Sequence, residues 1–196
     1  AYYGEMLDYG TKTPDWLMQY FLESAEGDSK TQAIARLYQA FYRRLPDTEG
    51  FLYWMERRRY GGWSIYRIAE QFAKAPEFSR LYGSLDNPAY VELVYTNVLG
   101  RRPDADGKQY WVDQLDSGVT RGRVMTGFSE SAEYKTAQRN RMHVVGTYGV
   151  MLNRVPTGDE LNAWQKHLTG GGSTRDMIAM LRQTGEYTTA AGKARR

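Results

Sequence analysis

Apolar residues recur three and four positions apart through most of the chain. Ile34, Leu37, Tyr38, Phe41 and Leu45 share one face of a helix at this spacing, and Val91, Val94, Tyr95, Val98 and Leu99 repeat the arrangement. Shorter amphipathic stretches carry Ile65, Ile68 and Phe72, then Val124, Met125 and Phe128, then Met177, Ile178 and Leu181. No segment alternates apolar and polar residues with the period of two that a half-buried strand requires. The pattern predicts an all-α chain.

The pattern also repeats. Pro46, Pro103 and Pro156 stand 57 and 53 residues apart. Tyr38, Tyr95 and Tyr148 each precede their proline by eight residues, and Gly61, Gly118 and Gly171 follow it by fifteen. Arg44, Arg101 and Arg154 come two residues before the proline, and Trp54, Trp111 and Trp164 eight after it. The copies close alike, with Ala75-Pro76-Glu77-Phe78, Ser131-Ala132-Glu133-Tyr134 and Thr184-Gly185-Glu186-Tyr187. Anchors in register at a period this long mark a repeat architecture.

Near the N-terminus Glu23-Ser24-Ala25-Glu26 matches Glu130-Ser131-Ala132-Glu133, and on the same offset Phe21 matches Phe128. Residues 1–27 therefore read as the tail of a preceding copy. Complete copies follow at 28–82, 83–136 and 137–189, with a frayed polar tail over 190–196. The expected fold is a set of tandem three-helix repeats packed as a short helical array, in which neighbours complete one another's cores.

Local signals divide each copy. The residue before a proline is pushed out of the α region, which ends the first helix. Asp47, Asp104 or Thr157 then stands ready to cap the second. Gly61-Gly62, Gly118 and Gly170-Gly171-Gly172 permit the positive φ of a helix stop. Ser64, Thr120 and Ser173 or Thr174 offer caps for the third helix.

Composition narrows the function classes. The net charge of +3 comes from 26 basic and 23 acidic residues spread along the chain, which lacks the clustered footprint of a nucleic-acid binder. There are no cysteines, so disulfides and thiolate metal sites are excluded. No apolar run approaches the length of a transmembrane helix. Ala1-Tyr2-Tyr3-Gly4-Glu5 lacks the basic and apolar regions of a signal peptide, and the chain reads as a segment of a longer protein.

The motif Gly100-Arg101-Arg102-Pro103-Asp104-Ala105-Asp106-Gly107-Lys108-Gln109-Tyr110-Trp111, with Gly118 and then Gly127-Phe128-Ser129-Glu130-Ser131-Ala132-Glu133-Tyr134, resembles domain-of-unknown-function family 4214. That family is a bacterial helical repeat of secreted and cell-surface proteins, including S-layer and hemolysin-type exoproteins. The first copy departs with Leu45 in place of the second Arg and one extra residue between Gly61 and Phe72. The third departs with Thr157 for the Asp and Glu160 for the loop glycine, and is weakly similar to the phycobilisome linker domain. The resemblance implies an extracellular, non-catalytic module and no particular ligand.

Four features are candidates for chemistry. As a calcium loop, the Asp104 to Asp113 stretch would place Arg102 at the first ligand position, where it repels the ion, so no metal site is expected. Arg44, Arg101 and Arg154 are suited to the orphan carbonyls of a helix end, with Glu77, Glu133 and Glu186 as partners. Trp54, Trp111 and Trp164 read as core, because every copy must bury one. The remaining feature belongs to the first copy alone. Tyr60 and Trp63 occupy places held by Ser117 and Thr120 in the second copy and by Gly170 and Ser173 in the third, and Tyr66 falls where the others have small or charged residues.

With Arg57 and Arg58 just upstream, Tyr60, Trp63 and Tyr66 form a candidate ligand-binding surface for sugar rings, acidic groups or a protein. His143 and His167 fit no metal or triad pattern, and neither catalytic residues nor a cofactor are expected. The expected function is a non-catalytic module of a bacterial secreted or cell-surface protein. It would bind envelope polysaccharide or anchor a larger assembly to the surface, with envelope polysaccharide or a surface protein as its partner. A structural linker that organises partner proteins is the alternative, and a cell-envelope glycan hydrolase is a distant third.

Overall fold

A computed structural model of the chain describes residues 7, 10 and 12–194, the side chains at 193 and 194 excepted. The N-terminal pentapeptide and the last two residues of the expected tail lie outside the described residues. The protein is all-α, and no strand occurs among the described residues. Helix α1 spans Pro14–Glu23, entered through the Thr13 hydroxyl, which accepts the Trp16 N–H. A short turn and a widened π turn over Asp28–Gln32 lead into α2, Ala33–Tyr42. Then come α3, Thr48–Arg59; α4, Ile65–Ala73; and α5, Pro76–Tyr82. Helix α6, Asn87–Val94, ends in a second π turn over Tyr95–Leu99.

The later elements are α7, Ala105–Asp116, and α8, Arg121–Ser129. They are followed by α9, Ala132–Leu152; α10, Gly158–Thr169; α11, Thr174–Arg182; and α12, Gly185–Ala194. The anticipated caps form. Asp47 and Asp104 accept the Gly50 and Gly107 N–H groups, each at 2.7 Å, and Thr157 closes a capping box with Glu160. Each copy also has a fourth helical segment, starting at Pro76, Ala132 or Gly185. At 83–88 glycine and proline break the chain after that segment, but beyond Ala132 no such break occurs. Helix α9 therefore runs unbroken through the expected boundary at 136/137, and α12 continues through most of the expected tail.

The chain forms two compact units. One comprises Ala33–Pro46 and Tyr53–Arg139, and the other Ala1–Gln32, Asp47–Leu52 and Asn140–Arg196. In the first, α4 packs along α8 and α2 lies against both, burying Ile68, Phe72, Val124, Met125 and Phe128. Arg36 of α2 is buried here to 1% exposure, and it donates Nε and Nη2 to the Glu130 carboxylate at 2.8 and 2.7 Å. A buried guanidinium is tolerable only with such a partner. In the second unit α1 packs along α11, burying Leu22, Met177, Ile178 and Leu181. Within each unit, then, the helices that pair hold the same place in their sequence copies.

One joint is built three times. The first helix of each copy exits through a left-handed residue: Arg43 at φ 58, Gly100 at φ 68 and Asn153 at φ 54. The arginine that follows forks onto the glutamate near the start of the closing helix. Arg44 reaches Glu77 at 2.8 and 2.9 Å, Arg101 reaches Glu133 at 2.8 and 2.9 Å, and Arg154 reaches Glu186 at 2.5 and 3.0 Å. Each guanidinium also donates to the carbonyl of the next residue, at 3.0 to 3.3 Å. Beneath it lies the repeated tyrosine, with Tyr38, Tyr95 and Tyr148 at 5.5, 5.2 and 5.0 Å from the guanidinium carbon. The glutamates stand in a first helical turn, where the helix dipole also favours negative charge.

The third joint carries an extra member. Gly50 and Gly107 hold the fourth place after the proline, and a Cβ on Gly107 would stand 2.5 Å from the Tyr95 hydroxyl oxygen. Glu160 takes that place in the third copy and accepts from Arg154 at 2.8 and 2.7 Å. Those bonds, helped by Thr157 and opposed by partial burial, hold the Glu160 carboxyl down at about 2.

Two predictions follow from the joints. Around Gly100 there is open space, so Gly100→Ala tests the backbone alone: it should cost about 1–2 kcal/mol, whereas Arg43→Gly should gain up to about 1 kcal/mol. Urea midpoints at unchanged slope would show both shifts. Because the folded pKa of Glu160 lies below its ordinary value of 4.5, its contribution is whole above about pH 4.5 and is lost as pH falls towards 2. The stability difference between the wild type and Glu160→Gln should therefore shrink across that window in a pH series of denaturation curves.

Candidate binding surface

Tyr53 and Arg57 are four residues apart on α3, so they stand on one helix face. Past the end of α3 the chain turns through Gly62, whose φ of 66° requires a residue without a Cβ penalty. The turn is closed by the Trp63 N–H, which donates to the Arg57 carbonyl at 3.1 Å, while Arg58 Nη1 donates to the Trp63 carbonyl at 3.0 Å. Ser64 then caps α4 by accepting the Arg67 N–H at 3.1 Å.

This geometry corrects the register read from sequence. Val119 and Gly172 make the corresponding N–H bonds to Gln114 and His167, five residues back, but Trp63 reaches six residues back. The extra residue of the first copy therefore lies upstream of Gly62. Gly62, not Gly61, is the counterpart of Gly118 and Gly171, which have φ 93 and 96. Trp63 stands where Val119 and Gly172 stand, and the capping serine, not Trp63, matches Thr120 and Ser173. Tyr66 matches Gly122 and Arg175, a small and a charged residue as expected.

The side chains form a ladder of rings and guanidinium groups. The Arg57 guanidinium carbon lies 4.5 Å from the Tyr53 ring centre and 5.2 Å from that of Trp63. Arg67 lies 3.8 Å from the Trp63 centre. The ladder backs onto the core through Trp54, which is 6.0 Å from Trp63 and 5.6 Å from buried Phe72. Nearby, Arg123 of α8 lies 4.5 Å from the Tyr66 ring. Tyr53 and Tyr66 are 44% and 45% exposed, and Tyr60 is 82% exposed.

Arg36, Arg44, Arg101, Arg154 and Arg182 are each matched by a carboxylate of the chain. Among the described residues no ion pair joins Arg57, Arg67 or Arg123 to a carboxylate. The Arg57 Nε is also shut away from solvent with no hydrogen-bond partner, at an ordinary cost of about 1–3 kcal/mol. Aromatic faces, rather than counter-charges, lie against these guanidinium groups.

Of the residues singled out in the sequence, the structure brings Arg57 and Trp63 together and gives Arg58 to the supporting turn. Tyr66 is placed against Arg123, and Tyr60 stands out into solvent. Tyr53, Arg67 and Arg123 were missed. The four-residue spacings Tyr53 to Arg57 and Trp63 to Arg67 carried the signal for the first two, whereas Arg123 comes from a different helix. The repeated tryptophans Trp54, Trp111 and Trp164 are half-buried rather than core. Trp111 lies over Gly127, where a Cβ would meet its ring at 2.4 Å, and packs on Phe128 at 5.1 Å.

Other sites offer less. His143 Nδ1 lies 3.4 Å from the Thr174 hydroxyl and 3.7 Å from Glu23. His167 pairs with Asp176 at 3.0 Å on the surface. An open cleft of about 360 Å³ between Glu92 and Arg102 is crossed by the Lys108–Glu92 ion pair at 2.6 Å. Among the described residues no group of three or more acidic or histidine side chains is placed to hold a metal ion, and no helix is long and apolar enough to cross a membrane.

These features define an all-helical module whose most recognisable motif is a packing joint and whose open charge is carried on aromatic rings. Residues 69–138 match the family model described as domain of unknown function (DUF4214), the family that the motif of this segment resembles. The match lies wholly inside the first compact unit and includes the Arg101–Glu133 joint. Tyr53, Arg57, Trp63 and Arg67 lie outside it. No curated protein and no solved structure matches the chain.

Proposed function

We propose that the protein is a non-catalytic module of a bacterial secreted or cell-surface protein, binding envelope polysaccharide and anchoring a larger assembly to it. The observation that carries this reading is the ladder of Tyr53, Arg57, Trp63 and Arg67, exposed at Tyr53 and Arg67 and half-buried at Arg57 and Trp63, in which guanidinium groups and aromatic rings share one surface. Rings and guanidinium groups are the side chains that grip sugars and their acidic substituents. The three arginine joints are absorbed in packing, which leaves the ladder as the part of the molecule with unspent binding capacity.

The test is retention of the purified protein on insoluble cell-wall polysaccharide. Trp63→Ala should abolish retention while the helical circular dichroism spectrum stays unchanged. Retention equal in variant and wild type would overturn the ladder's role. Self-association by light scattering with no glycan retained would favour a linker that organises proteins, and measurable glycan turnover would sink the non-catalytic reading.

A further inference from the structure

The ladder selects among glycans by charge. Stacking on a neutral sugar ring needs a bare aromatic face, yet the Trp63 ring is approached by Arg67 at 3.8 Å, Arg57 at 5.2 Å and Trp54 at 6.0 Å. Tyr53 carries Arg57 and Tyr66 carries Arg123, each at 4.5 Å. What this surface presents outward is therefore guanidinium, pre-positioned on rings rather than bare ring. Holding a guanidinium against an aromatic ring removes rotamer freedom before a ligand arrives, so less is lost when its fork of N–H donors meets an anion.

Among the described residues no ion pair neutralises these groups. Five other arginines are spent on carboxylates, whereas Arg57, Arg67 and Arg123 have none among the described residues. Gathering three such cations on α3, α4 and α8 of one compact unit raises a local positive potential that a neutral polymer cannot exploit. Arg57 and Arg67 share one indole, so a polymer with acidic groups along its length can meet both. The net charge of the whole chain, only +3, is no guide to this local imbalance.

We propose that the Tyr53–Arg57–Trp63–Arg67 ladder, with Arg123 beside it, binds an acidic polysaccharide by forking onto the carboxylate or phosphate groups along its chain. The proposal rests on the polysaccharide reading above and names the class of glycan. Three probes test it by affinity electrophoresis of the intact chain: polygalacturonate, its fully methyl-esterified form, and a phosphate-bearing teichoic acid.

Polygalacturonate or teichoic acid should retard the protein and the ester should not, the responding polymer telling carboxylate from phosphate. The double variant Arg57→Gln with Arg67→Gln should lose at least about tenfold in affinity, the scale of one lost charge-assisted fork. Arg57→Lys with Arg67→Lys keeps the charge and should retain salt-sensitive binding at lower strength. Equal retardation by the ester would overturn the acidic class and leave polysaccharide binding standing. No retardation by any of the three polymers would overturn both. Undiminished binding by the glutamine variant, with its circular dichroism spectrum unchanged, would remove these arginines from the site.

Discussion

Each copy of the pattern turns on one constraint: the first helix must stop, reverse its backbone hand and hand the chain on to a proline. The left-handed residue at 43, 100 or 153 makes the stop, and the next residue's guanidinium then collects a carbonyl, a carboxylate and a ring at once. An arginine meets that demand because its fork is planar and bidentate, whereas a lysine would offer a point charge. The joint ties the end of the first helix to the start of the closing one, and so it sets where the second and third helices between them can lie. Although glycine is the least costly residue for the stop, only the second copy uses it. The first tolerates Arg43 there, and the third uses Asn153, a residue that accepts the left-handed region more readily.

The joints also explain why the most conspicuous motif is not the candidate surface. Arg101, Asp104 and Glu133 are all engaged, with the pKa of Asp104 lowered first by the Gly107 N–H and that of Glu133 by Arg101. A side chain that already closes a cap or a fork has little left to give a ligand. In the first copy one additional residue widens the turn after α3, and the widened turn is what brings Trp63 beside Arg57. The candidate surface thus lies where the repeat is broken. The same principle accounts for Glu160, which replaces a loop glycine and converts the third joint from a pair into a three-membered network.

Much of the fold was legible because its signals are local. The caps at Asp47, Asp104, Thr157, Ser64, Thr120 and Ser173 form as residue chemistry predicts, and the partners named for Arg44, Arg101 and Arg154 are the ones they bind. Arg36 was not legible. It falls opposite the face that carries Ile34, Tyr38 and Phe41, where a charged residue is expected to meet solvent, yet the helix is buried on that side too. Its partner Glu130 is 94 residues away, a distance across which sequence spacing carries no information. The register of Trp63 failed for a related reason: two adjacent glycines, Gly61 and Gly62, could each serve as the stop, and only the hydrogen bonds choose between them.

By itself the sequence determined an all-helical chain, the positions of its stops and caps, and the recurrence of one arginine joint, since each of these depends on residues a few positions apart or on a motif seen three times. Tertiary structure decided which helices pair, α4 with α8 and α1 with α11, because every third helix displays a similar apolar face and pattern alone cannot assign partners. It also decided which arginines are spent. Arg36 and Arg57 look equally available in a sequence, yet one meets a carboxylate 94 residues on and the other meets aromatic rings. Whether a charge is neutralised depends on what folding brings beside it.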